Sequence, residues 1–238
     1  MTRARLILVF AAAFLVVLVA LFPLRLGLGL MQAQARGLSA SAVTGSIWSG
    51  RLSGATLGSA PLGEVRAGLD VLGLFRGGGR VWVRAEGPIR ARGVLQLGGA
   101  AFALEDMDAT LPSSLVLPGL PVQGRLQLTD FTAAFRHGDC RKAAGTVRLA
   151  DVSVGAASGL VLEGKARCQG RRLAIPLEGQ AQGVGLQALL TVDGRGRYEV
   201  QSLIRSSDAN LAATNGMRGL ERTLEGYRRI DRGRIGVR

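Results

Sequence analysis

Histidine occurs once in this chain, as His137, and cysteine twice, as Cys140 and Cys168. That scarcity excludes a structural zinc site, which takes four Cys or His ligands. It also leaves nucleophilic catalysis without parts: His137 and Cys140 share one turn, and no third member stands by to orient them. Aromatic residues make up 5% of the chain, so the stacked Phe/Tyr platform of RNA-binding sheets is missing. Acidic residues number 17 against 30 basic ones, and their one cluster is Glu105, Asp106 and Asp108. Without a glycine-centred calcium loop, that cluster reads as a wet turn rather than a cation site. Glycine pairs and triplets occur at 27–29, 77–79, 183–185 and 194–196, but none lies between a strand and a helix with a Lys-Ser/Thr ending, so nucleotide binding has no support. The residues assign no catalytic group, no metal ligand and no cofactor.

Lysine is nearly absent as well. The formal net charge of +13 is carried almost wholly by arginine, and no run of five basic residues exists. Such a charge invites a nucleic-acid or anionic-membrane reading. The arginines, however, mostly alternate singly with apolar residues, as on the wet face of strands, and nucleic acid is not expected as a partner. What positive field remains favours anionic lipid heads, chiefly through the Arg-rich tail from Arg218 onward.

Long apolar runs are also scarce, with one exception. Leu6 to Leu24 is uncharged over nineteen residues, follows Arg3 and Arg5, and precedes Arg25. A helix of that length covers about 28 Å, close to the hydrocarbon thickness of a bilayer. The expectation is a single transmembrane helix at 6–24, with a cytoplasmic tail at 1–5, a stalk at 25–42 and a β-rich domain at 43–238. The competing reading is a cleaved signal peptide ending near Ala33-Gln34-Ala35. Against it, the run exceeds the usual 7–15 residues and Arg25 interrupts the path to that site.

From Val43 the period changes to two. Val65, Ala67, Leu69 and Val71 alternate with Glu64, Arg66, Gly68 and Asp70; Val81, Val83 and Ala85 alternate with Arg80, Trp82, Arg84 and Glu86. The habit continues through Leu95/Leu97, Leu126/Leu128, Val147/Leu149 and Leu162/Ala166/Cys168. It extends to Leu173/Ile175/Leu177, where Pro176 hints at an edge or bulge. Asp193-Gly194-Arg195-Gly196 closes a hairpin that returns through Tyr198, Val200 and Ile204. With 35 glycines mostly between these runs, strands should seldom exceed eight residues. One-sided alternation without a strand–helix–strand rhythm predicts a twisted, antiparallel sheet with one wet face. Pro112, Pro118 and Pro121 mark a break near 111–121 between two β-rich halves. Leu211 to Leu224 reads as a helix capped by Asp208, and a short strand follows near Tyr227 to Ile235. Trp48 and Trp82 read as buried core aromatics rather than binding platforms.

Cys140 and Cys168 lie beyond the apolar run. In an oxidising compartment they would close a loop of 28 residues; the alternative is two buried free thiols. The set of features resembles protein N of the type II (general) secretion pathway of Gram-negative bacteria. The likeness rests on the basic start and apolar run, Thr44-Gly45-Ser46-Ile47-Trp48-Ser49-Gly50-Arg51, Cys140 with Gly145-Thr146-Val147, Gly164-Lys165-Ala166-Arg167-Cys168, and Asp193-Gly194 leading to Tyr198. The resemblance implies an inner-membrane, single-pass, periplasm-facing accessory component of the machine that exports folded proteins across the outer membrane. Its implied partners are other secretion components and, through residues 6–24, the lipid bilayer. It implies no enzymatic activity, and its cysteine pair matches Cys140 and Cys168. The competing function is a membrane-anchored β-groove that binds or passes a lipid or other hydrophobic ligand.

Overall fold

A computed structural model describes residues 3–26, 38–57, 60–70, 78–98, 101–116, 124–154, 157–181, 183–206 and 221–235. The apolar amino-terminal run forms α1 (Arg3–Ala20). It stops at Ala20 rather than Leu24, because Pro23 has no N–H to continue the ladder and instead bridges to Ser46. Among the described residues no helix is long and apolar enough to cross a membrane. The nineteen-residue rod expected at 6–24 is therefore corrected to a shorter helix with a bent exit.

Among the described residues every other long element is a strand. In chain order they are β1 (Leu38–Ser39), β2 (Ala42–Ser46), β3 (Ser49–Leu57), β4 (Ala60–Leu69), β5 (Gly79–Glu86), β6 (Arg90–Gly98) and β7 (Ala101–Pro112). After the short α2 (Ser113–Val116) come β8 (Arg125–Arg136), β9 (Asp139–Val154), β10 (Ala157–Lys165), β11 (Arg167–Gln169) and β12 (Arg172–Ala181). The last are β13 (Val184–Val192), β14 (Arg197–Ser206), β15 (Glu221–Thr223) and β16 (Gly226–Arg234). All sixteen belong to one antiparallel sheet whose spatial order follows the chain closely, with β2 beside β3 and β11 beside β12. Short turns between sequence neighbours dictate this meander, since only antiparallel strands can be joined so briefly. The pairing of β7 with β8 runs from Ala101↔Arg136 to Pro112↔Arg125, so the sheet is continuous across the proline-marked region. Of that region, residues 117–123 lie outside the described residues.

Two expectations change here. The described part of the expected carboxy-terminal helix, Glu221 to Leu224, is β15 and a turn; the rest of Leu211–Leu224 lies outside the described residues. Glu221–Thr223 pairs with Gly226–Arg228, and the ladder supplies hydrogen bonds that a glycine-interrupted helix would hold weakly. The expected last strand is present as β16. Strands are also longer than eight residues: β9 has 16, and β7 and β8 have 12 each. Bulges explain the length. Asp106, Asp130 and Asp151 take positive φ, as does Gly145 at +100°, and each stretch bends without ending. A side chain on Gly145 would strike the backbone of Asp130 and Phe131.

The core sits on one face of the carboxy-terminal half. Val152, Leu160 and Leu162 are 0%, 1% and 2% exposed, and they join Phe131, Val147, Ile175, Leu186, Val200 and Ile204 in one cluster. A flat single sheet would leave such a face in water, so this half must curl on itself. The hairpin tips show the curl: Gly194 N–H donates to the Gly138 carbonyl at 3.2 Å, joining the β13–β14 turn to the β8–β9 turn over the shorter β11–β12 hairpin. The amino-terminal half has a smaller core of Leu24, Leu52, Ala55, Val65 and Ala85.

Candidate functional site

The structure disperses the residues that chemistry would need. Cys140, at the start of β9, is disulfide-bonded to Cys168 on β11, with Cα atoms 5.7 Å apart. Its sulfur is thus unavailable as a nucleophile. His137 is exposed in the β8–β9 turn at φ +54°. The acidic cluster is occupied by neighbours. Glu105 accepts from Arg80 at 2.9 Å, and Asp108 accepts from the Asp130 N–H and from Arg92 Nε, at 3.0 and 2.8 Å. The Asp130 N–H, then Arg92, hold the Asp108 carboxyl below its ordinary range. Among the described residues no group of His, Cys, Asp or Glu is placed to hold a metal ion.

Asp193, Glu199 and Asp231 are likewise engaged by arginines. Partial burial pushes Asp193 up, but hydrogen bonds from Arg197 N–H, Arg197 Nε and Arg195 N–H outweigh it, and the net direction is down. Glu199 is lowered by Arg232 and Gln201. Burial first, then the Asp231 charge, raises Tyr198. Asp231 itself holds Arg229 on the inner face of β16.

Interaction surfaces are a different matter, and three stand out. Every described side chain of α1 is exposed, although the helix is apolar all round beyond Arg5. Its exit is fastened to the sheet: Trp48 Nε1 donates to the Val19 carbonyl at 3.0 Å, Ile47 N–H to the Phe22 carbonyl at 3.0 Å, and Leu24 packs over Gly50. Trp48 and Trp82 are half-buried and stand outside both core clusters, which corrects the expectation of core aromatics. The Trp48 backbone carbonyl and the Trp82 ring both lie over Gly68, where a Cβ would collide with them.

The second surface is the pair of sheet edges. At one end β1 and β2 lie in line along β3. At the other, β15 covers β16 only from Gly226 to Arg228, so among the described residues the outer rim of β16 beyond Arg228 has no strand beside it. The third is the inner face where the amino-terminal half opens: Leu97 and Phe102 are register partners, 43% and 40% exposed, beside buried Phe135.

One arrangement escaped the sequence reading. Arg51↔Arg66, Arg66↔Arg84 and Arg84↔Arg92 are successive register partners, forming a row of four arginines across β3, β4, β5 and β6. Each arginine alternates correctly in its own strand, but only the pairing register aligns them.

A model of the family described as type II secretion system (T2SS), protein N matches residues 36–226. The chain belongs to that family. The match covers the sheet from its first strand to the start of β16 and leaves α1 outside it. No curated protein and no solved structure matches the chain. Membership of the protein N family joins the fold to the secretion machinery, and the family expectation drawn from Thr44–Arg51, the two cysteines and Asp193-Gly194 is met at the level of the whole β region.

Proposed function

We propose that this protein N homologue is a membrane-anchored accessory component of a type II secretion system, acting through protein–protein contacts and not as an enzyme. The observation that carries the reading is the family match over residues 36–226, on a sheet that does not close. An open edge presents unpaired backbone N–H and C=O groups, and an added strand from a partner is the direct way to satisfy them. Anchoring draws support from α1, whose uncharged part, residues 6–20, is about 22 Å long with exposed Leu, Val, Ile, Ala and Phe on all sides, an apolar surface for lipid to cover. The Cys140–Cys168 bond supports an oxidising compartment for the sheet, and the proposed location is the periplasmic side of the inner membrane.

The test is site-specific photo-crosslinking from Val43 on β2 and Ile230 on β16 in cells that carry the secretion system. Mass spectrometry should identify another secretion component on at least one edge. If neither edge captures such a component, while the secretion system assembles normally, the reading is wrong.

A second reading has one specific observation behind it. The half-exposed Leu97–Phe102 patch continues the buried inner face, so an acyl chain would find an apolar floor there. Native mass spectrometry of the full chain, released from a detergent of defined mass, separates the two: retained lipid lost on Phe102→Glu supports this second reading, and absence of lipid removes it.

A further inference from the structure

We infer that the row Arg51–Arg66–Arg84–Arg92 is a docking surface for anionic phospholipid headgroups. This rests on the anchored reading above for its location, and on its own geometry for its chemistry. Adjacent strands are about 4.8 Å apart, so the four guanidinium groups line a row about 14 Å long. All four side chains are exposed and on the same face, opposite Leu52, Val65 and Ala85 in the core. Like charges directly opposite across a ladder repel and weaken the pairing. Elsewhere Arg148 is opposite Glu163, and Arg232 is opposite Glu199 with a 2.9 Å contact, while the other like-charged partners, Glu64↔Glu86, Glu163↔Glu178 and Arg197↔Arg234, are single pairs and not a row of four.

In the row, only Arg92 is tied, to Asp108 at 2.8 Å. Among the described residues Arg51, Arg66 and Arg84 are not paired with a carboxylate. Glu64 and Glu86, themselves register partners, occupy the next row on the same face without closing an ion pair, and Arg90 follows Glu86 across the hairpin. The uncompensated charge is therefore a concentrated strip, and its complement is a surface with many negative groups at short spacing.

Continuity with α1 selects a membrane as that surface. On the outer face, the row immediately before the arginines holds Gly68 and Trp82, register partners, and the backbone carbonyl of Trp48 lies over Gly68. Trp48 in turn hydrogen-bonds the Val19 carbonyl near the end of α1. Tryptophan favours the headgroup level of a bilayer. Two residues along a strand advance about 7 Å, so with Trp48 and Trp82 at that level the arginine row lies at the lipid phosphates. The Arg-rich tail is a poorer candidate: Arg229 is held by Asp231, Arg232 by Glu199, and Arg228 donates to Gln201.

The two tryptophans are the only ones in the chain, so the test has a built-in reporter. The full chain is reconstituted in vesicles of phosphatidylcholine with phosphatidylglycerol, with bromine on the acyl chains of one lipid or the other. Each arginine close to an anionic surface is worth on the order of fivefold in partitioning. Tryptophan quenching should therefore favour brominated phosphatidylglycerol, and the preference should fall with ionic strength. Arg51→Gln/Arg66→Gln/Arg84→Gln should reduce the preference by about tenfold or more. The triple Lys variant should keep it, and Glu64→Gln/Glu86→Gln should strengthen it. Thermal melting of each variant confirms folding.

Equal quenching by both lipids, or a preference unchanged in the Gln variant, overturns the inference. So does a Gln variant that loses a secretion partner while lipid preference is absent in the parent, which would make the row a protein-docking strip. Alkaline carbonate extraction reads the anchor separately. If α1 fails to hold the chain, flotation of the released full chain with phosphatidylglycerol vesicles still decides the row.

Discussion

Cys140 and Cys168 illustrate how single side chains act in this fold. Their bond ties the start of β9 to the short β11, and residue 140 also donates its N–H to the Arg171 carbonyl at 3.0 Å. Removing a cross-link over a separation of 28 residues frees unfolded-chain entropy worth about 3–4 kcal/mol. Cys168→Ser should lower the unfolding free energy of the full chain by about that much, measured by urea titration with and without reductant. The carboxylates set a second expectation. Asp108, Asp193 and Glu199 all have folded-state pKa values below their ordinary ones. Their contribution is therefore complete above the unfolded carboxylate range of about 4, and is lost as the pH falls through the folded values. Melting temperature should drop on acidification below about pH 4–5, and Asp193→Asn should flatten that drop by removing the cap of the β13–β14 turn. An unchanged pH profile in the Asn variant would dissociate Asp193 from acid sensitivity.

Among the elements, β10 and β12 show how sequence and packing collaborate. Pro176 gives no N–H, and these strands are in register at the single pair Glu163↔Glu178. Gly164 lets the strands approach: a Cβ there would overlap the Pro176 carbonyl. Gly164→Val should thus cost at least about 2 kcal/mol through a forced backbone shift. The neighbouring core offers a comparison of depth. Leu160→Ala on β10 should cost about 2–5 kcal/mol, since the side chain is 1% exposed. Leu97→Ala on β6 should cost much less, because that residue already meets solvent. Equal losses in a denaturant titration would mean that the two halves bury their inner faces alike.

For the whole molecule, an unclosed sheet carries its core unevenly. The carboxy-terminal half curls until its hairpin tips touch at Gly138 and Gly194, whereas the amino-terminal half stays open and holds α1 at its border. The proposed membrane-fixed component uses both ends of this sheet, the border that holds α1 and the far rim at β16. On the proposed reading, replacing residues 1–20 by a cleavable export signal should shift the protein from the membrane pellet to the soluble periplasmic fraction on cell fractionation. A form so replaced that still sediments with membranes would assign attachment to the sheet itself.

Period-two alternation, turn chemistry at Asp193–Gly196 and the absence of a helical rhythm were enough to foresee one antiparallel sheet, because these signals are local and each strand pairs with its neighbour. Residues 221–224 misled as a helix because Leu220, Leu224 and Tyr227 are spaced for one, while the pairing of Glu221–Thr223 with Gly226–Arg228 overrides that spacing. The bulges were hidden because a positive-φ Asp reads like any other polar residue. What the linear chain determined, then, was the material of each strand and which side chains share a face. The tertiary structure alone decided the register, which lines up Arg51, Arg66, Arg84 and Arg92, and the curl that buries Leu160 but leaves Phe102 open. Both arise from pairing and twist summed over many strands, and no single stretch contains that sum.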